Sequence, residues 1–258
     1  MLAACSTSSG GAAGGDLLAQ VRQNGVMRVA LTQANPPWNF VDSKAQPIGY
    51  DVDVARELAE RLGVREVQFI PSSYQNFIEG VRADRFDIVI SGQTITEERA
   101  RQVDFSRPYQ VNGISLFVQR DDSGITGVRD LSGKAVAVSA GTTQEAYVRE
   151  RIPDAEPKIY QNATLGLTDV ARGNADAMLV SRFQGAYLAS ASNLPVKPAG
   201  ELLNREVNGM SFRKDAGQFK AAVDQAITDM INDGTMSAIS KKWLGGLDMA
   251  VELNQPTP

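Results

Sequence analysis

Apolar and polar positions along this chain follow two periods, one suited to strands and one to helices. Val26–Leu31 is a short apolar run that ends in turn-rich Thr32–Pro37, which predicts a strand followed by a loop. Val54, Ala55, Leu58, Ala59 and Leu62 recur at helical spacing, so a helix is predicted over Asp51–Leu62, stopped by Gly63. Val67–Ile70 reads as a strand, and Tyr74–Ala83 as a second amphipathic helix through Phe77, Ile78 and Val81. Phe86–Ile90 is the nearly continuous apolar run of a strand covered on both faces. A β-α-β-α-β order of this kind predicts a mostly parallel, doubly wound sheet.

The pattern then recurs. Ala135–Val138 reads as a strand, Thr143–Arg151 and Thr164–Arg172 as helices, and Ala177–Val180 as an apolar strand. Phe86 through Ser91 is echoed by Ala175 through Ser181, each placing a polar residue after a buried strand. The predicted fold class is therefore α/β, as two similar units rather than one large sheet. Gly113–Gln119 and Val207–Arg213 are short extended segments suited to linking them. Phe219, Ala222, Val223, Ala226, Ile227, Met230 and Ile231 form the apolar stripe of a helix ending at Gly234. A shorter helix follows, ending near Trp243-Leu244-Gly245, and the polar, proline-bearing residues after Val251 are expected to fray.

Composition narrows the chemistry. The 258 residues, 43% hydrophobic and 22% charged, have the make-up of a globular protein with room for two lobes. A net charge of −4 with scattered basic residues gives no footprint for nucleic acid or an anionic membrane surface. There is no histidine, and Cys5 is the one cysteine. Ser-His-Asp and Cys-His mechanisms, His/Cys zinc sites and intramolecular disulfides are thereby excluded. Any catalysis would fall to carboxylates, Lys, Tyr, Arg or a cofactor. No run of 18 apolar residues is present to span a membrane. These exclusions favour binding over catalysis.

Ligands of open parallel sheets sit beyond the carboxyl ends of the strands. Three segments qualify. In Ser91-Gly92-Gln93-Thr94-Ile95-Thr96-Glu97-Glu98-Arg99, Gly92 permits close backbone approach and Arg99 can fork onto a carboxylate. Equally, Thr94 and Glu97 fit a capping box, with Arg99 a solvated helix residue. Ser139-Ala140-Gly141-Thr142-Thr143-Gln144-Glu145 repeats the strand, glycine, hydroxyl and helix-start order, and Thr142 with Glu145 also fits a capping box. Ser181-Arg182 ends the third strand. No G-x-G-x-x-G or G-K-[ST] element occurs, so no nucleotide cofactor is implied, and no other cofactor or metal is expected.

Ahead of the first helix, Leu2-Ala3-Ala4-Cys5 is similar to a bacterial lipobox and precedes a Ser/Thr/Gly/Ala tract through Gly15. Such a tract cannot bury a core and reads as a tether. The similarity implies cleavage before Cys5, a lipid on its sulfur, and Met1 as an added start. The alternative is a chance cysteine in an added tag.

In order along the chain stand Arg28-Val29-Ala30, Pro36-Pro37-Trp38-Asn39-Phe40 and Ile48-Gly49-Tyr50-Asp51-Val52-Asp53. Next come Phe86 through Gly92, Thr94 through Arg99, and Val103-Asp104-Phe105-Ser106-Arg107-Pro108-Tyr109. Leu131-Ser132-Gly133-Lys134, Gly141-Thr142-Thr143 and Asp233-Gly234 through Lys242-Trp243-Leu244-Gly245 complete the series. From about Val21 to Leu247 this series resembles the type II periplasmic solute-binding proteins of ABC importers, in the polar amino-acid-binding family. The resemblance implies a two-lobed fold, each lobe a mostly parallel sheet flanked by helices, joined by two hinge strands. It places a tether at 1–20, lobe 1 at 21–111 plus 210–248, lobe 2 at 114–206 and a frayed tail at 249–258. It implies a monomeric, lipid-anchored extracytoplasmic receptor that captures an amino acid, polar or cystine-like, and delivers it to an ABC permease, without nucleic acid.

By the same resemblance Arg99 grips the ligand α-carboxylate, aided by Ser91, the Gly92 amide and Thr94. Thr142 and Thr143 reach it from lobe 2, while Tyr74, Asn35 and Trp38 line the pocket. Two positions depart from the family pattern. Asn35 stands where a stacking aromatic is usual, and Ser181 where an acid pairs with the α-ammonium. Arg182 beside it faces solvent or a second acidic group. The family also includes cyclohexadienyl dehydratase-like enzymes, for which Glu97, Glu98 and Asp176 are the formal candidates here. A binder of a non-amino-acid carboxylate, or a sensor lobe of a kinase or channel, would use the same fold.

Overall fold

The computed structural model describes residues 16–255; Cys5 and the tract that follows it lie outside the described residues. Two sheets organise the chain. In the first, strands Glu66–Pro71, Val26–Leu31 and Ile88–Thr94 run parallel, and Glu206–Phe212 pairs antiparallel with the last of them. Asp104–Phe105 and Gln110–Asn112 pair with Glu206–Phe212 on its other side. In the second, Glu156–Tyr160, Ala135–Ser139 and Ala177–Ser181 run parallel, followed by antiparallel Ile114–Gln119 and Val196–Ala199. The chain is thus a two-lobed α/β protein.

The crossovers between the sheets lie side by side. Gly113 links Gln110–Asn112 of one sheet to Ile114–Gln119 of the other, and the return path runs between Ala199 and Glu206. Ile114 N donates to Asn204 Oδ1 at 2.9 Å, and Leu203 N donates to the Ile114 carbonyl oxygen at 2.9 Å. A Cβ on Gly113 would lie 2.4 Å from the Asn204 carbonyl oxygen, so glycine is what lets the two crossovers touch.

Each sheet buries apolar faces under helices, as periodicity predicted. Tyr50–Arg61, Phe219–Asn232 and Thr235–Trp243 cover the first sheet, where Leu58, Ile90, Phe212, Ile227 and Met230 pack together. The second sheet has apolar residues on both faces, Leu116, Val136 and Leu179 on one and Phe117, Leu167 and Met178 on the other. Apolar burial of this kind contributes about 25 cal/mol per Å² and supplies the main driving force for each lobe.

Four local expectations are corrected. The strand after Phe86 does not end at Ile90 but continues to Thr94, because Asn208 and Gly209 pair with Thr94 and Gln93 and extend the ladder. The helix that follows is a single turn, Glu97–Ala100, and its cap is Thr96, whose hydroxyl accepts from Arg99 N, so the Thr94–Glu97 capping box does not form. Leu17–Gln20, assigned to the tether, belong to a helix Leu17–Asn24 that buries Leu17, Leu18 and Val21. Within the tail 249–258, expected to fray, Met249–Asn254 is a helix that sinks Met249 and Ala250 into the first lobe's core, where Val111 N donates to Met249 Sδ, while residues 256–258 lie outside the described residues.

Candidate functional site

A cleft of about 670 Å³, part of it open to solvent, lies between the two lobes beside the crossovers. Thr32, Asn35, Trp38, Tyr74, Gly92 and Thr94 line it from the first lobe. Ser139, Thr142, Gln144, Gln161, Ser181 and Gln184 line it from the second. Both sets stand at or just beyond the carboxyl ends of parallel strands, where loops and helix starts leave backbone groups free.

The lobes touch on both rims of this cleft. On one, Arg99 Nη1 donates to the Thr94 carbonyl oxygen at 2.9 Å within its own lobe. Its Nη2 donates to the Gly141 carbonyl oxygen of the other lobe, also at 2.9 Å. The Arg99 guanidinium lies 5.5 Å from the ring centre of Tyr74. On the other rim, Trp38 meets Phe183 edge-on at 5.6 Å and Phe40 meets Tyr187 at 6.0 Å.

Beneath the first-lobe wall runs a buried polar network. Asn39 Nδ2 donates to Asp51 Oδ2 at 2.7 Å and to Ser91 Oγ at 3.1 Å. The Tyr109 hydroxyl donates to Asp51 Oδ1 at 2.8 Å and accepts from Gly92 N at 2.9 Å. Burial pushes the Asp51 carboxyl up to about 7, although the Asn39 and Tyr109 bonds pull the other way. Burial and the neighbouring Asp51 push the Tyr109 phenol well above its usual value. Gly49 opens the helix that carries Asp51; a Cβ there would lie 2.4 Å from the Trp38 carbonyl oxygen. Asn39, Asp51, Ser91 and Tyr109, all within the ordered series of segments, thus lie beneath the cleft rather than in it.

The residues expected to bind divide into three groups. Gly92, Thr94, Tyr74, Asn35, Trp38, Thr142 and Ser181 come together around the cleft. Arg99 and Thr143 border it through an adjoining hollow that also holds Gly141 and Glu98. Ser91 is fully buried and bonded to Asn39, and the Gly92 amide is engaged by Tyr109, so neither presents itself directly to the cleft. Thr142 caps its helix by accepting from Glu145 N, and its hydroxyl donates to the Ser139 carbonyl oxygen. Ser181 and Asn112 hydrogen-bond each other through Oγ, Nδ2 and Oδ1. Arg182 is exposed and stacks over Phe183, outside the cleft. Glu97 and Asp176 are also exposed and line none of it, Asp176 accepting from Ala135 N instead.

Sequence reasoning missed four lining residues on the strands beside the crossovers: Gln110, Asn112, Glu206 and Asn208. Asn208 Nδ2 donates to Gln110 Oε1 at 3.0 Å, while Gln110 Nε2 and Asn208 Oδ1 are buried without a partner among the described residues. Trp38 Nε1 and Asn35 Oδ1 are in the same condition. Buried polar atoms cost free energy until they are satisfied, so this wall is prepared for a polar ligand. Only Asn208 lies inside a predicted linking segment; Gln110, Asn112 and Glu206 flank those segments and carry no local signal of their own.

A two-lobed α/β fold with a polar cleft at its crossovers defines a solute-binding protein. The family model for bacterial extracellular solute-binding proteins, family 3, matches residues 27–246, and the chain belongs to that family. It is 33% identical over 230 residues to the L-cystine-binding protein TcyJ of Escherichia coli, covering 89% of this chain and 86% of that protein. An ancestral arginine-binding protein bound to arginine superposes with a TM-score of 0.82 at 33% identity, over 86% of this chain and 99% of that one. An ancestral amino acid-binding protein, described as a precursor of cyclohexadienyl dehydratase, superposes with a TM-score of 0.83 at 33% identity, over 88% and 99%.

Proposed function

We propose that this protein is the extracytoplasmic receptor of an ABC importer, closing its lobes around an α-amino acid and presenting the closed form to a membrane permease. The observation that carries this reading is the Arg99 guanidinium, held between Thr94 of one lobe and Gly141 of the other at the mouth of a polar cleft. A ligand carboxylate at that mouth would draw a bidentate, charge-assisted contact, with Thr94 and Thr142 supplying further polar groups. Contacts to both walls exist together only when the lobes are closed, so ligand shifts the population toward closure. The family and its cystine- and arginine-binding relatives support an amino acid as the solute.

The receptor reading is supported over an enzymatic one by the family and its relatives, and by Glu97 and Asp176, weighed for acid catalysis, standing outside the cleft with Glu98 only at its border; Glu206 is the carboxylate that lines it. We also infer a monomer held near the membrane by a lipid on Cys5, with no role for nucleic acid; mass analysis of the protein and its Cys5→Ser variant from a lipidating host tests the anchor. The central test is a thermal-shift and calorimetric panel of the standard L-amino acids and cystine. Ligand at about 100 times its dissociation constant adds roughly 2.7 kcal/mol. An upward shift with ligand recovered chemically unchanged is the expected result. No response to any amino acid, or turnover of the bound one, overturns it.

A further inference from the structure

Glu206 is the carboxylate that lines the cleft among the described residues, and it is 8% exposed. It opens the strand Glu206–Phe212, at the point where the chain returns to the first sheet. Its Oε2 accepts from the Thr94 hydroxyl at 3.2 Å, and its Oε1 from Asn204 Nδ2 at 3.3 Å. Among the described residues no cation lies within ion-pair distance of it. A carboxylate buried beside neutral groups alone is costly, and such groups are retained where they meet a counter-charge.

The position of Glu206 relative to Arg99 says what that counter-charge is. Thr94 is bonded by both: Arg99 Nη1 at its carbonyl oxygen, and Glu206 Oε2 at its hydroxyl. Burial raises the pKa of the Tyr74 phenol, and both charges act on it as well, Arg99 lowering it and Glu206 raising it. A fixed cation and a fixed anion on two sides of one threonine match a ligand whose own anion and cation sit on one carbon. Ser181 offers no charge, and its hydroxyl is taken up reciprocally by Asn112.

We propose that Glu206 is the counter-ion of the ligand's α-ammonium, replacing an acid at position 181. The inference rests on the cleft being an amino-acid site. It makes the first lobe the one that recognises the zwitterionic head, through Arg99, Thr94 and Glu206. The second lobe adds neutral groups, chiefly Thr142, Gln144, Gln161, Ser181 and Gln184. Capture then precedes closure: the open first lobe holds both charges of the ligand, and the second lobe folds over its side chain.

The test measures calorimetric affinities of the full chain and of Glu206→Gln for L-cystine, L-arginine and L-glutamine. Each is paired with its deaminated analogue: 3,3′-dithiodipropionate, 5-guanidinopentanoate and 4-carbamoylbutanoate. Expected is a loss of about 30-fold or more for the amino acid that the parent binds, with little change for its analogue. Glu206→Asp, which keeps the charge on a shorter stem, should recover part of the loss, and unfolding of each free variant shows whether it is folded. Equal losses for amino acid and analogue, or none for either, overturn the proposal while leaving the receptor function standing. A matching loss for arginine and 5-guanidinopentanoate, which share the guanidinium, assigns Glu206 to a cationic side chain and overturns it too. A parent that binds no amino acid in the panel overturns the receptor reading and this inference together.

Discussion

Arg99 Nη2 donates to the Gly141 carbonyl oxygen at 2.9 Å, and that bond crosses from one lobe to the other. The same guanidinium holds Thr94 of its own lobe through Nη1. One rigid planar group thus couples the mouth of the cleft to the relative position of the lobes. A lysine would present a single ammonium on a flexible stem and could not span both carbonyls. Arg99→Lys is therefore expected to weaken amino-acid binding by about 30-fold or more, as measured by calorimetry. Small-angle scattering at a fixed ligand concentration should show a larger mean radius than the parent. Because Arg99 is only half-buried, the thermal stability of the free protein should change little.

Gly141 is also where backbone approaches backbone across the cleft. A Cβ built there would lie 3.0 Å from both Cα and Cβ of Gln75, and Gly141 has φ +75°. Gly133 has a similar φ of +69°, with nothing within 4 Å of an added Cβ. Both alanine variants carry the left-handed strain, about 1–2 kcal/mol. Gly141→Ala should in addition hold the lobes apart and weaken ligand affinity, while Gly133→Ala should leave affinity unchanged. Equal affinities for the two variants would show that the Gln75 contact does not limit closure.

Gln110 and Asn208 satisfy each other once and leave Gln110 Nε2 and Asn208 Oδ1 unpartnered. Replacing both members of a buried polar pair with apolar groups of similar shape is close to neutral, whereas removing one is not. The double variant Gln110→Met with Asn208→Leu should keep or raise the denaturation midpoint of the free protein and lose ligand affinity. Single variants should each lose stability, by roughly 1–3 kcal/mol. Urea unfolding paired with calorimetry separates these outcomes.

Periodicity revealed the elements best where one face of a helix or both faces of a strand are apolar. Val26–Leu31 matches its predicted limits for that reason, whereas Thr143–Arg151, in which Val148 is the one buried residue, is bounded at its start by the Thr142 cap. It misplaced the end of the strand after Phe86 because Ser91, Gly92, Gln93 and Thr94 are polar, and only pairing with Asn208 and Gly209, more than a hundred residues away, keeps them extended. Met249–Asn254 escaped notice because two buried residues, Met249 and Ala250, are too few to show a period. Of the residues around the cleft, Thr94 and Thr142 were legible from the order of strand, glycine and hydroxyl along the chain, and Tyr74 from the family resemblance alone. Glu206 was not, since an acid at the start of an extended segment carries no local mark until the second crossover folds it against Thr94.

Asp51 gives the protein a pH dependence of unusual sign. Burial raises its carboxyl to about 7, so it is protonated in the folded state at pH values where the unfolded chain has already released that proton. Between about pH 4 and pH 7 the native state binds more protons than the unfolded state, and stability falls as pH rises, at most about 1.4 kcal/mol per pH unit from this group. Asp233 and Asp248 act in the opposite sense: both are held at about 2 by their hydrogen bonds and lysine or arginine partners, and what they contribute is lost only in acid below that window. Urea unfolding of the parent and of Asp51→Asn from about pH 5 to about pH 7 isolates the term. The asparagine variant loses one acceptor for Tyr109 or Asn39, so it should be the less stable protein at the acid end. The gap between the two should narrow steadily as pH rises, because only the parent releases a buried proton; parallel curves would mean that Asp51 ionises normally in the fold.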